Sequence, residues 1–395
     1  MSRAHHPSSA TRQRRHALLA LGSLLCAPAW TQPADAPAAT LQVGPGRALR
    51  TLAQAARVAT DHTLIEVDAG EYRGDVAFWP QNRLQLRAVG GRVRLVADGA
   101  AAQGKGVFVT RGQQFRVEGF DFEGAQVPSL NGAGIRVDAG SAHVVDCRFS
   151  DSQCGVLTGN DTGIEVVIER CEFTRHLRAD GRNHHVYAGG IGRLVVTGSH
   201  FQGAQSGHLL KSRARDNLVT YNRLVDGPEG RASYELEFPN GGMAVVVGNL
   251  IQQGPGSENQ QLVSFGAEGL HPAPNELHMA FNTLVNELGP TGVFVNVRPG
   301  TDRVRLLNNL LVGGGNAPTG GAEVRGNALL SLADLVDPAA GDYRVRKAVA
   351  ARLRALELPA DADALRPMLM PTAPRGVAER PLASLRLPGA LPAQS

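Results

Sequence analysis

The chain has 395 residues, of which 43% are hydrophobic and only 5% aromatic, and it contains 47 glycines. This composition predicts an all-β protein with many tight turns and argues against a helical bundle. The formal charge of +4 comes without a basic stripe interleaved with aromatic residues, so no nucleic-acid partner is expected.

The first 29 residues have the pattern of an export signal. Arginines at the start of this segment precede an apolar run from Ala17 to Leu25, and residues 27–29 (Ala-Pro-Ala) offer a cleavage site. The apolar run is shorter than the roughly 20 residues that span a bilayer, so we expect a secreted or periplasmic protein without an integral membrane segment. Paired arginines leave the twin-arginine route open beside general secretion. Without the four arginines of this segment, basic and acidic residues are equal in number.

A helix and a strand are predicted next. Ala48 to Thr60 has apolar residues at helical spacing, and Leu64 to Tyr72 reads as the first strand. We expect the helix to cover one end of a stack of strands, because unpaired strand edges otherwise invite association.

The middle of the chain contains a repeat. A small or polar residue, followed two positions later by Phe, Leu or Ile, returns at intervals of 23 to 33 residues. This interval suits one coil of a parallel β-helix, in which equivalent positions stack about 4.8 Å apart. The small or polar positions are Cys147, Cys171, Ser199, Asn222, Asn249, Asn282 and Asn309.

The repeated residue types indicate what each position does. Stacked asparagines can hydrogen-bond along a ladder, so we interpret them as architecture. Cys147, Cys154 and Cys171 are an odd number without a CxxC pair, which predicts small buried residues rather than a metal site or a disulfide framework.

The repeat defines the predicted fold. The gaps between motifs lack the helical patterns of a βαβ fold, and an irregular β-sandwich is the remaining alternative. We predict an all-β, right-handed parallel β-helix of about ten coils over residues 42–330. The capping helix precedes it, and residues 331–395 form a capping segment and a Pro/Ala-rich, irregular tail.

A second series of apolar segments, one in each coil, predicts the strand on which candidate site residues lie. Strict alternation along these strands places one residue in two on the outer face. His208 has the inward parity but lies near a strand start, from where it can reach solvent. The outward residues, coil by coil, are His185 and Tyr187, Lys211 and Arg213, Glu235 and Glu237, and Arg298.

Two interpretations of this outward group remain open. In the first, Lys211 and Arg213 simply pair with glutamates on the next strand, each exposed pair contributing about 0.2–1 kcal/mol. In the second, the cations bind the carboxylate of a uronic acid, and neighbouring groups move protons in β-elimination. Lys211 is then the base, Tyr187 or His185 the acid, and Arg213 the carboxylate clamp. The other substrate-binding candidates are His208, Glu235, Glu237 and Arg298.

Two further functions stay as alternatives. Glu235 and Glu237 are two residues apart on one strand, about 6.6 Å by strand rise, which would suit a glycoside hydrolase. The clustered aspartates of pectinase-type hydrolases are missing, however. A non-catalytic glycan-binding or surface protein with the same face is the other alternative.

The strand at Leu64 to Tyr72 after a helix, followed by coils that end in Asn-x-Leu or Asn-x-Ile, resembles the pectate-lyase-like β-helix superfamily. Lys211-Ser212, followed by residues 217–222 (Asn-Leu-Val-Thr-Tyr-Asn), is similar to the Lys-Ser segment of the family that contains chondroitinase B and alginate lyases. That resemblance implies a lysine base and an acidic polysaccharide as partner of a monomeric protein.

The chain departs from that lyase family in two places. The paired acids that ligate calcium shortly before the lysine are replaced by residues 204–208 (Ala-Gln-Ser-Gly-His), and the arginine of the following coil is replaced by Glu237-Phe-Pro. No cofactor is therefore predicted, and calcium would need other ligands, such as Glu235 and Glu237.

The longest interval of the repeat contains a Pro-rich insertion at residues 270–275, flanked by Glu268 and His278. We expect a solvated loop here, with a wall beside the outward face as the alternative.

Overall fold

The computed structural model describes residues 36–177, 183–316 and 321–394. The export signal predicted at residues 1–29 lies outside these residues. Almost all regular structure in the described part is parallel β-strand, so the predicted all-β parallel β-helix is confirmed.

Each coil runs through three strands, which we assign to sheets I, II and III in that order. Sheet I has nine strands, one directly above another. Its strands are Ala77–Trp79, Gly106–Thr110, Ala133–Val137, Cys154–Thr158, His184–Ala188, His208–Ser212, Tyr234–Phe238, Gln261–Phe265 and Val293–Val297.

Sheets II and III lie next to each other, and a sharp bend separates their strands in each coil. Sheet II contains Phe115–Glu118, Ser141–Val145, Glu165–Glu169, Arg193–Thr197, Asp216–Thr220, Met243–Val247, Glu276–Ala280, Arg303–Leu307 and Glu323–Arg325. Sheet III contains Phe120–Glu123, Arg148–Ser150, Glu172–Thr174, His200–Gln202, Arg223–Val225, Leu250–Gln253, Thr283–Asn286, Leu310–Gly313 and Ala328–Leu330. The first coils begin with Ala39–Val43, Thr63–Arg73 and Gln85–Val96, which pair in the same parallel sense.

The predicted helix at the start of the stack is present but shorter, at Leu52–Val58. Thr51 caps it through a reciprocal capping box with Gln54. The carboxylate of Asp75 accepts hydrogen bonds from the amides of Leu52 and Ala53 at 2.6 and 2.9 Å, which satisfies two more free donors of the first turn.

The core is built from residues that repeat coil by coil. Phe122, Phe149, Phe173 and Phe201 stack face to face, with ring centroids 4.7–5.1 Å apart. Such columns form because parallel, in-register strands place equivalent side chains directly above one another, one inter-strand spacing apart.

The predicted asparagine ladder is present, and it extends one coil further than predicted. The side-chain oxygen of each asparagine accepts from the backbone amide of the equivalent residue one coil earlier, at 2.7–2.9 Å. The left-handed backbone lies one residue before the ladder, as at Tyr221 with a φ of 57°. The ladder runs through Asn222, Asn249, Asn282, Asn309 and Asn327.

The three cysteines of the described part, Cys147, Cys154 and Cys171, are free and buried, as predicted. The helices of the described residues are all too short or too polar to cross a membrane.

The segment after the last coil folds back over the outside of sheet II. It contains two antiparallel hairpins, a short helix and four 3₁₀ turns. Ala362 and Leu365 of this segment are fully buried against apolar side chains on the outer face of sheet II. The elements are Leu332–Asp334, Leu335–Asp337, Pro338–Ala340, Asp342–Val345, Lys347–Ala350, Ala360–Leu365, Leu369–Pro371, Val377–Glu379 and Leu382–Arg386.

Candidate functional site on sheet I

The sheet I strands from His184 onwards turn two consecutive residues towards the core, so simple alternation fails at their second position. The second and third residues of the strands are equally buried, as Leu209 and Leu210 show. The outward residues are therefore the first and the fourth. In the coils of interest the first are His184, His208 and Tyr234, and the fourth are Tyr187, Lys211 and Glu237.

The predicted outward position of His185 is wrong for this reason. Its imidazole is 1% exposed and lies inside the stack, beside the stacked rings of Phe173 and Phe201. Its Nε2 is 2.8 Å from the carbonyl oxygen of Gln202, and burial holds its pKa well below the ordinary value. His185 cannot reach a ligand on the outer face.

The predicted outward position of Glu235 is wrong as well. Its side chain is fully buried, and neither carboxyl oxygen has a hydrogen-bond partner among the described residues. Burial, reinforced by the neighbouring Asp226, raises the pKa of Glu235 well above its ordinary value. Since Glu235 and Glu237 point to opposite faces of the sheet, the predicted hydrolase pair does not exist.

The outer face instead brings five side chains into one ion cluster: Tyr187, Lys211, Arg213, Glu237 and Glu268. The Lys211 ammonium lies 3.1 Å from Glu237 and 3.2 Å from Glu268. The Arg213 guanidinium lies 2.7 Å from the other oxygen of Glu268 and donates from Nε to the Tyr187 hydroxyl at 2.9 Å. Both cations also lie 5.9 Å from the centre of the Tyr187 ring.

The floor of the ion cluster is a buried histidine pair. His208 Nε2 is 2.9 Å from the same Glu237 oxygen that contacts Lys211. His208 Nδ1 is 3.0 Å from His184 Nδ1, and its ring stacks on Tyr234 at 5.0 Å.

Opposite effects set the charge state of His208 and Glu237. Burial lowers the pKa of His208 below its ordinary value, although Glu237 partly offsets this effect. Burial opposes ionisation of Glu237, but His208 and Lys211 outweigh it and hold the Glu237 pKa below its usual range. The floor thus contains a neutral imidazole beside an ionised carboxylate at neutral pH.

The insertion is a wall beside the outward face, although residues 272–274 remain solvent-exposed as expected of a loop, and Glu268 lies just before it. The backbone amide of Glu268 donates to the carbonyl of Pro239 at 2.8 Å, and His271 Nε2 lies 3.1 Å from the carbonyl oxygen of Arg213. Arg215 also donates to the carbonyl of Pro272 at 2.9 Å. The loop therefore places Glu268 over Lys211 and Arg213. The side chain of Glu268 remains 47% exposed.

Asn240 is another residue that the sequence analysis did not select, since it follows the strand in a turn. Its side-chain oxygen accepts from Arg213 Nη1. Arg298 stands in the same vertical column as Arg213 but three coils later, where its guanidinium lies 3.5 Å from the carbonyl oxygen of Gly266. Arg298 is thus on the same face, outside the ion cluster.

The ion cluster does not fit the calcium site of the lyases that the sequence resembles. Its two carboxylates face Lys211 and Arg213, whose positive charges oppose a cation. Across the described ranges, His, Cys, Asp and Glu residues form no group of three or more suited to a metal ion.

Comparison with known proteins supports the fold. Residues 105–259 match the family described as right handed beta helix region. No curated protein matches the chain.

Solved structures with a similar chain path share little sequence. Pectate lyase Pel9A is 13% identical, with a TM-score of 0.39 and coverage of 75% of this chain and 82% of that chain. Pectin methylesterase from Aspergillus niger is 10% identical, with a TM-score of 0.35 and coverage of 75% and 87%. The Dettilon tailspike protein is 12% identical, with a TM-score of 0.33 and coverage of 68% and 62%.

The family match and the stack of in-register parallel coils together identify the chain as a right-handed parallel β-helix protein, the fold of the pectate-lyase-like superfamily that its sequence resembles.

Proposed function

We propose that the ion cluster binds a uronate of an acidic polysaccharide and that the protein cleaves this polymer by β-elimination. The observation that carries the proposal is the position of the Glu268 carboxylate. One of its oxygens contacts Lys211 at 3.2 Å and the other contacts Arg213 at 2.7 Å. A uronate carboxylate has the same charge and geometry, so it can replace Glu268 between these cations.

The loop position of Glu268 makes the exchange feasible. Glu268 is half exposed, whereas Lys211 and Arg213 are 12% and 21% exposed. Both cations are held in place because the strand that carries Lys211, and ends one residue before Arg213, packs on the core. A ligand that displaces Glu268 therefore meets two preorganised cations. The exchange breaks only the two ion pairs of Glu268, which are of the exposed kind and contribute about 0.2–1 kcal/mol each.

The remaining groups suit the proton transfers of β-elimination. Lys211 acts as the base at the carbon next to the clamped carboxylate. It must be neutral to do so: Lys211 first releases its ammonium proton to solvent, and Arg213 then holds the carboxylate at the position that Glu268 occupies. The Tyr187 hydroxyl accepts from Arg213, so its own proton is free for the leaving oxygen.

Hydrolysis is the second candidate, with a different carboxylate pair from the one that the sequence suggested. Glu237 and Glu268 contact the same ammonium at 3.1 and 3.2 Å, so they are close neighbours. Retaining glycosidases need carboxylates about 5–5.5 Å apart. The two mechanisms leave different products, which makes them separable.

The test incubates the protein with pectate, alginate and chondroitin and follows the ultraviolet absorbance of the unsaturated uronide together with reducing ends. We expect absorbance to rise with one polymer and the Lys211→Ala variant to lose about 10²- to 10⁴-fold in rate. Lys347→Ala, an exposed lysine of the tail, is the matched control and should keep full activity.

The Glu268→Gln variant tests the exchange itself. Removal of the competing carboxylate breaks both of its ion pairs and should lower KM by roughly two- to thirtyfold, since each exposed pair contributes a factor of about 1.5 to 5. New reducing ends without unsaturation would establish hydrolysis instead. Polymer binding without either product would leave a non-catalytic glycan-binding protein, and no binding at all would overturn the proposal.

A further inference from the structure

A second group of cations lies on the same face, nearer the N-terminal end of the stack. Lys105, Arg111 and Arg136 all contact one carboxylate, that of Asp138. Arg136 Nε lies 2.9 Å from one oxygen of Asp138, and Arg111 lies 3.4 Å from the other, which also accepts from Lys105. We name these four residues the distal cluster.

The distal cluster carries more positive charge than its own structure needs. Asp138 is 8% exposed, and a single cation would neutralise it. Burial opposes the ionisation of Asp138, but hydrogen bonds from Lys105 and Arg136 outweigh this effect and hold its pKa below the usual value. Lys105 and Arg111 are 38% and 51% exposed, so their unneutralised charge faces solvent.

The strand register fixes where the distal cluster lies relative to the ion cluster. Arg136 pairs with Leu157, Leu157 with Tyr187, and Tyr187 with Lys211, so Arg136 stands directly below Lys211 in one column. Three inter-strand steps correspond to about 14 Å. Arg111 occupies the same neighbouring column as Arg213.

Among the described residues, the strand positions between the two clusters carry no charge. The intervening strand Cys154–Thr158 carries no charged residue. The column that joins Arg111 to Arg213 passes through Gly159 and Gly189, which have no side chains. Leu157 is buried, and the partly exposed ring of Tyr187 packs against it as the apolar surface between the clusters.

We propose that the distal cluster is a subsite for a second anionic group, carboxylate or sulfate, of the same glycan chain that occupies the ion cluster. The glycan then runs parallel to the stack axis, past the ring of Tyr187. This inference rests on the proposed function because it needs an acidic glycan at the ion cluster. The exposed guanidinium of Arg111 supplies the paired donors that such oxyanions take.

The test compares oligosaccharides of pectate, alginate and chondroitin, each of two lengths, by titration calorimetry at low and high salt. A disaccharide is too short to span both clusters, whereas a hexasaccharide can reach both. The double variant Lys105→Gln/Arg111→Gln removes the exposed charge and leaves Arg136 to neutralise Asp138. The matched control is Arg148→Gln/Arg170→Gln, which removes two arginines of similar exposure beyond sheet I.

We expect the double variant to bind the hexasaccharide roughly two- to thirtyfold more weakly, since each exposed cation contributes a factor of about 1.5 to 5. Disaccharide affinity should not change, and the difference should shrink at high salt. Unchanged hexasaccharide affinity in the double variant, or an equal loss in the control, would overturn the distal subsite alone. Failure of the wild type to bind any of these oligosaccharides would instead overturn the proposed function.

Discussion

A glutamate at position 235 of sheet I lies in the core because of its place in the strand. The equivalent residues one coil before and one coil after are Leu209 and Leu262, both fully buried. Glu235 therefore occupies a leucine position, without a hydrogen-bond partner among the described residues. A buried polar group of this kind costs about 1–3 kcal/mol.

The destabilisation that buried Glu235 causes increases as the pH rises. The unfolded chain ionises a glutamate at about pH 4.3, whereas burial raises the folded-state pKa well above the ordinary value. Folding above pH 4.3 takes up a proton, so stability from this group is lost as the pH rises. We expect Glu235→Gln to match the wild type near pH 4 and to be more stable than the wild type at neutral pH, by about 1.4 kcal/mol for each pH unit between about 4.3 and the folded-state pKa.

Urea unfolding at several pH values measures this difference. Glu229→Gln, an exposed glutamate in the preceding turn, is the control and should follow the wild type throughout. A pH-independent difference between Glu235→Gln and the wild type would contradict the inward, neutral glutamate.

The ladder of asparagines is the element that joins the later coils. The side-chain oxygen of Asn249 accepts from the backbone and side-chain nitrogens of Asn222, at 2.8 and 3.0 Å. Its own amide donates to the carbonyl of Val219 at 2.8 Å. Each ladder residue thus satisfies buried backbone groups of the coil below it, which no strand pairing reaches at the bend.

Asn249→Ala should therefore destabilise the stack strongly. The substitution leaves at least two buried polar groups unpaired, each at about 1–3 kcal/mol. Asn327→Ala, at the half-buried end of the ladder, removes fewer buried contacts and should cost less. The midpoint of urea unfolding, compared at an unchanged m-value, measures the loss of stability in both variants. Equal losses would show that the ladder contributes no more in its middle than at its end.

At the scale of the whole molecule, the tail ties together coils that are far apart in sequence. Arg375 pairs with Asp146 at 2.6 Å and with Glu172 at 2.8 Å, and its side chain is only 13% exposed. The amide of Gly376 donates to the carbonyl of Gly198 at 2.7 Å. Near the other end of the stack, Arg305 is held by Asp361 of the tail.

Arg375→Gln should loosen the tail without unfolding the coils. We expect a loss of about 1.5–3 kcal/mol, the contribution of hydrogen bonds to charged groups, and faster amide exchange around residues 369–379. Arg366→Gln is the control, because Arg366 pairs only within the tail with Asp363. Unchanged exchange in Arg375→Gln would mean that the other contacts of the tail hold it in place without Arg375.

The sequence by itself determined the repeat and its direct structural consequences. Intervals of 23 to 33 residues with apolar and asparagine positions indicated stacked coils, since only in-register parallel strands place such residues in columns. The ladder, the buried cysteines and the helix near Leu52–Val58 all result from local patterns of this kind. Tyr187, Lys211 and Glu237 also share a column because the repeat assigns them the same position.

Only the tertiary structure decided which side chains face the core. Two successive inward residues in the sheet I strands from His184 onwards moved His185 and Glu235 inside and His208 to the outer face, because a bend of the coil interrupts the strict alternation of an ideal strand. Glu268 joined the ion cluster through a loop that crosses two coils. The distal cluster likewise depends on contacts between coils. Such contacts depend on the path of the chain between repeats, which a one-dimensional pattern does not contain.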